Sequence, residues 1–99
     1  MYIRLVTVQV QLGKVDEAIA LYSSLESEWK QHKGFLGAHL GINRSTDEGF
    51  SATIWESLEE LQQTEASGWY QDVLPRFGSM LTAPPEMDIY EGAVNIENV

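Results

Sequence analysis

Apolar and polar side chains alternate over residues 2–11 (YIRLVTVQVQ), where β-branched residues are frequent. This period of two predicts a strand, which Gly13 ends. The period then changes. Val15, Ala18, Tyr22, Leu25 and Trp29 recur at helical spacing over residues 15–33, with Ile19 and Leu21 widening the stripe. Asp16 and Glu17 fall in the first turn of this helix and Lys30 and Lys33 in the last, the order that the helix dipole favours. Gly34 is placed to stop it in a left-handed cap. Alternation returns over residues 35–44, with Leu36, Ala38, Leu40 and Ile42 on one face, and again over residues 50–55, with Phe50, Ala52 and Ile54 on one face. Turn-forming residues 45–49 join the two as a hairpin. Ser57 followed by Glu60 fits a capping box and opens a short helix to about Ala66. Beyond Ser67-Gly68, helical spacing resumes through Trp69, Tyr70, Val73, Leu74, Phe77, Met80 and Leu81. Pro75 predicts a break near Leu74, and Pro84-Pro85 closes the region. Residues 86–96 read as a last strand, weakened by Gly92.

The order β-α-β-β-α-β predicts an α+β, ferredoxin-like fold: one domain over residues 1–99, a four-stranded antiparallel sheet with helices on one face. Val6, Val8 and Val10, the even positions of residues 36–42, and Phe50, Ala52 and Ile54 suit burial under the helices. The opposite face is also apolar in part, because Ile3, Leu5, Phe35 and Trp55 stand there among Thr7, His39, Asn43, Ser51 and Thr53. Helices on one side leave that second patch open, which predicts a homodimer with the two patches paired about a two-fold axis. The competing reading is scattered surface hydrophobes without a role.

Composition narrows the partners. Apolar residues make up 43% and charged residues 21%, ordinary for a globular chain. A net charge of −9, from 15 acidic and 6 basic residues, argues against nucleic acid and against an anionic membrane surface. No cysteine is present, so there is no disulfide framework, thiol nucleophile or thiolate metal site. No apolar run approaches the roughly 18 residues of a membrane span. Met1-Tyr2-Ile3-Arg4 enters the first strand pattern without a signal-peptide layout, so the expected location is cytoplasmic.

Two short motifs carry a family resemblance that extends over nearly the whole chain. Lys33-Gly34-Phe35-Leu36-Gly37 resembles the glycine-containing entry to the second strand of the antibiotic biosynthesis monooxygenase (ABM) family, and Ile54-Trp55-Glu56-Ser57 is similar to the Trp-Glu-Ser that ends its third strand. The resemblance implies a dimeric α+β barrel. It also implies an oxygenase without metal or flavin, in which an aromatic or polyketide-like substrate becomes an electron-rich anion and itself reduces O2. Two positions depart from the pattern: Thr53 stands where members often carry glutamate, and Thr64 where many carry histidine. The haem-degrading branch binds iron through a histidine on the second helical region, and residues 57–81 contain none, so haem degradation is disfavoured.

Such chemistry needs a dry cleft with a few polar groups. Histidine is the side chain best suited to proton transfer near neutral pH, which makes His39 a candidate; alternatively it is a hydrogen-bonded histidine inside the dimer barrel. Tyr70 could donate to a phenolate oxygen, and with Trp69 it resembles family positions that hold substrate; otherwise both are core aromatics. Trp29, Phe50, Phe77 and Met80 carry the same two readings, as cleft lining or as core. Arg4 could pair an anionic substrate or a surface carboxylate. The two histidines have no metal-ligand spacing. The rival to an oxygenase is a non-catalytic dimeric module that binds a small hydrophobic ligand or a protein partner.

Overall fold

The computed structural model describes residues 1–98. The elements are β1 (Tyr2–Gln9), α1 (Val15–Ser24), α2 (Glu26–Trp29), β2 (Phe35–Asn43), β3 (Glu48–Trp55), α3 (Leu58–Ala66), α4 (Trp69–Phe77) and β4 (Glu86–Glu91). The strands form one antiparallel sheet in the order β2-β3-β1-β4. This is the ferredoxin-like arrangement expected from the element order.

Differences from the expected elements have local causes. The first helical stretch divides at Leu25, whose N–H bonds the Tyr22 carbonyl three residues back, while the Ser24 hydroxyl donates to Leu21 O at 2.6 Å. A serine that engages its own backbone loosens a helix, and here the tightened turn carries Leu25 into the core. Lys30 and Lys33 therefore lie beyond the helix rather than in its last turn. Gly34 does adopt a left-handed φ of +84°, and a Cβ there would collide with the Glu60 side chain. Pro75 sits inside α4 without breaking it: the helix runs on to Phe77, and a 3-10 turn, Gly78–Met80, follows. β4 stops at Glu91 instead of reaching residue 96: Glu91 pairs with Tyr2, the first residue of β1, and Gly92 N–H bonds Met1 O. Ser57 caps α3, its hydroxyl accepting from Glu60 N–H at 3.2 Å, but among the described residues the Glu60 side chain returns no bond to Ser57 N–H, so only half of the capping box forms. Ser57→Ala is expected to lower stability by about 1 kcal/mol in urea unfolding.

The faces of the sheet bring a larger correction. Antiparallel partners point to the same side, and Arg4 pairs with Thr53 and Val6 with Ser51. The even positions of β1 do face the helices, but on β3 it is Gly49, Ser51, Thr53 and Trp55 that join them. Phe50, Ala52 and Ile54, expected under the helices, lie on the outer face opposite Thr7, Leu5 and Ile3. Trp55, with no exposed surface, takes the core position, and because the side-chain period is two it drags its whole face inward. On β2 a bulge between Phe35 and Gly37 lets Phe35 share the inner face with Ala38, Leu40 and Ile42, while Leu36 is left 52% exposed. The outer face, with no helix over it, thus carries Ile3, Leu5, Phe50, Ala52 and Ile54 beside His39 and Tyr90.

Between sheet and helices the core has two centres. Leu25, Trp29, Trp55, Leu61, Tyr70 and Val73 form one, and Val10, Val15 and Ala18 the other. Among the described residues, no helix is long and apolar enough to cross a membrane.

Candidate functional site

A cavity of about 80 Å3 lies between the two core centres. Its floor is the inner face of the sheet, chiefly Arg4, Val6, Val8, Leu40 and Ser51; α1 supplies Ala18 and Tyr22. From α4 come Tyr70, Val73, Leu74 and Phe77, and the half-exposed Phe77, Leu81 and Pro85 with the exposed Leu74 form the solvent side. Almost all of this lining is hydrocarbon or aromatic. Five side chains bring polar atoms: Arg4, Tyr22, Ser51, Tyr70 and Trp29, whose indole N–H is buried without a hydrogen-bond partner among the described residues.

Arg4 is 7% exposed on an interior strand. Its Nε donates to Glu65 Oε2 on α3 at 3.2 Å, and its guanidinium carbon lies 3.6 Å from the centre of the Tyr70 ring. Stacking on an aromatic face and pairing with one carboxylate together make burial of this cation tolerable. Its two Nη groups make no hydrogen bond among the described residues.

Tyr70 is 6% exposed, and its hydroxyl is buried without a hydrogen-bond partner among the described residues. The Thr53 hydroxyl lies nearby, accepting from Trp55 Nε1 at 2.9 Å and donating to Arg4 O at 3.5 Å, but it makes no well-formed bond to Tyr70. Burial pushes the Tyr70 pKa up to about 12, against the opposing pull of the Arg4 charge. At neutral pH it is a protonated phenol with a donor to offer. Tyr22 and Ser51 make a second polar station, their hydroxyl oxygens 2.7 Å apart, and burial again raises the Tyr22 pKa while the bond to Ser51 lowers it.

Trp29 packs edge-on to Tyr70 at 5.8 Å and to Trp69 at 4.4 Å, and it reaches the cavity wall. Trp69 stays behind it, against His32, with its indole N–H on Glu28 at 3.1 Å. Glu28 also accepts two bonds from Arg76, so α4 is fastened to α2 at its first and eighth residues. These partners, Arg76 foremost, hold the Glu28 carboxyl below the usual range.

Of the residues singled out from sequence, Arg4, Trp29, Tyr70 and Phe77 meet at the cavity. Trp69 stands behind Trp29, and Met80 packs against the Val10, Val15 and Ala18 cluster instead. Phe50 lies on the other side of the sheet, its ring over Gly41, and His39 is exposed on that same face opposite Ala52. Tyr22 and Ser51 were not singled out. Their signal was a hydroxyl on an otherwise apolar helical stripe and a serine facing it from β3, visible only once the faces of β3 are set correctly. Arg4 lines the cavity and pairs the Glu65 carboxylate, from a buried place on an interior strand rather than at the edge. Among the described residues, no group of three or more His, Asp or Glu is placed to hold a metal ion.

No curated protein matches the chain in sequence. Solved structures do match in fold. A conserved protein from Methanosarcina mazei Go1 is 24% identical, with a TM-score of 0.74 and 91% of each chain covered. The cofactor-independent oxygenase SnoaB from Streptomyces nogalater is 11% identical, with a TM-score of 0.80 over 98% of this chain and 97% of that one. A monooxygenase from the gene ActVA-Orf6 of Streptomyces coelicolor, in complex with nanaomycin D, is 16% identical, with a TM-score of 0.80 over 99% and 92%. The model of the family described as antibiotic biosynthesis monooxygenase matches residues 1–76, and the chain belongs to that family.

Proposed function

We propose that the chain is a cofactor-independent monooxygenase acting on a small aromatic or polyketide-like phenol, and that it works as a homodimer. One observation carries the reading: the buried, unpartnered Tyr70 hydroxyl stands in an apolar cavity beside the Arg4 guanidinium. A phenolic oxygen placed there accepts from Tyr70, and the Arg4 charge favours its anion. In a water-poor site both effects are stronger than in bulk solvent.

The anion passes one electron to O2. The resulting radical pair combines at a hydrogen-bearing ring carbon ortho or para to that oxygen as a hydroperoxide, and loss of water leaves a second carbonyl. One oxygen atom enters the ring in place of that carbon's hydrogen, the other departs as water with that hydrogen and the phenolic proton, and the ring supplies all four electrons. The dimer rests on the outer face, where Ile3, Leu5, Phe50, Ala52 and Ile54 have no helix to cover them. His39, on that face, has no part in this chemistry.

A second reading is favoured by the lining itself, which includes no carboxylate or imidazole to act as base among the described residues. It is a non-catalytic dimeric module that holds a small hydrophobic ligand. Oxygen uptake with a panel of phenols, quinols and anthrones separates the two. The oxygenase reading expects uptake that falls about 100- to 1000-fold in Arg4→Met, which removes a stabilising charge, and about 10- to 100-fold in Tyr70→Phe, which removes one hydrogen bond to an anion. Compounds that bind without any uptake would leave the second reading standing.

A further inference from the structure

We infer that the cavity selects a single aromatic ring with a polar atom at each end, the far one read by the Tyr22–Ser51 hydroxyl pair. This rests on the aromatic-substrate reading above and narrows it.

Size gives the first limit. An apolar cavity of about 150 Å3 holds one benzene, and the space here is about 80 Å3. One ring completes its volume at the open side, beside Leu74 and Pro85. A fused three-ring system would have to leave most of its surface outside that open side, because the inner walls are Leu25, Trp29 and Tyr70, all buried in the core. Close-packed interiors do not yield that much room without loss of packing.

The polar groups give the second limit. They fall into two stations on one surface. Tyr70 lies by Thr53, and Tyr22 is bonded to Ser51, the next residue on the same face of β3. Ser51 and Thr53 are two residues apart, about 7 Å along a strand, a separation on the scale of one substituted ring. Tyr22 and Ser51 together own two hydroxyl hydrogens and spend one on each other. The other remains free to donate, as do lone pairs to accept. Apart from the Arg4 guanidinium and the Trp29 indole N–H, both packed against Tyr70, the rest of the lining is hydrocarbon, so a ligand with one polar end leaves a station unused.

Binding measured calorimetrically without oxygen tests this, with hydroquinone, phenol, 1,4-dihydroxynaphthalene and anthrone as probes. Hydroquinone is expected to bind about tenfold tighter than phenol, the factor that one net hydrogen bond supplies, and anthrone at least tenfold more weakly. The double variant Tyr22→Phe/Ser51→Ala, which removes both hydroxyl hydrogens, should bring the hydroquinone-to-phenol affinity ratio down to about one; Tyr22→Phe/Ser51→Gly serves the same purpose if the first does not fold. Anthrone binding as tightly as hydroquinone, a double-variant loss shared equally by phenol, or no binding by any probe overturns the inference. Oxygen uptake run in parallel keeps the two readings apart. Hydroquinone bound in the expected order but never oxygenated removes the monooxygenase reading alone, and anthrone bound tightly and oxygenated removes the single-ring inference alone.

Discussion

Trp55→Ala is expected to remove about 3–5 kcal/mol of folding stability, the range for deleting a large aromatic from a core. Trp55 has no exposed surface, packs edge-on to Trp29 at 6.3 Å and Phe35 at 5.6 Å, and donates its indole N–H to Thr53. Alanine would leave a cavity where two aromatic neighbours meet, together with a buried Thr53 hydroxyl that has lost its donor. Domains of this size hold only about 5–15 kcal/mol in total, so the variant should sit near the edge of folding at 37 °C. Urea unfolding should show a lower midpoint with an unchanged slope. A loss under about 1 kcal/mol would place Trp55 outside the core and return Phe50, Ala52 and Ile54 to the helix side.

The second large effect is on assembly. Ile54→Asp puts a carboxylate in the middle strands of the outer face, opposite Ile3, and leaves the helix side untouched. In a two-fold pair the change occurs twice, and each unpaired carboxylate buried in the interface costs about 3 kcal/mol or more. The dissociation constant should therefore rise at least about a thousandfold. Sedimentation at micromolar concentration is expected to return an 11.1 kDa particle, with the circular dichroism of the parent. A variant that stays dimeric at the parent's affinity would move the interface elsewhere.

Element order was legible because the hydrophobic period changes cleanly between two and 3.6 along the chain, and because Gly34 and Ser57 punctuate it as their chemistry requires. The faces of β3 were not. Its two sides are both apolar, Trp55 on one and Phe50, Ala52 and Ile54 on the other, so alternation announces a strand without saying which side is inside. Pairing decides, and pairing is a tertiary fact. Leu36 misled for a related reason: the bulge that expels it leaves no mark in a run of alternating residues. The end of β4 falls opposite the start of a strand some eighty residues earlier. At the cavity, Arg4 and Tyr70 stood out as polar groups in apolar surroundings and do face each other. Phe50 was misplaced along with its strand face, and Ser51 was overlooked by the same error.

The bulge in β2 joins two surfaces that would otherwise be out of phase. Before it, Phe35 stacks on Trp29 at 5.4 Å; after it, Leu40 and Ile42 line the cavity. One extra residue, Leu36, rotates the strand by half a period between them and is itself left half in solvent. Removing that residue would not empty the aromatic wall or the cavity floor. It would turn one of them to the opposite side of the sheet, so the hydrophobic stack and the binding chamber keep their common orientation through a side chain that belongs to neither.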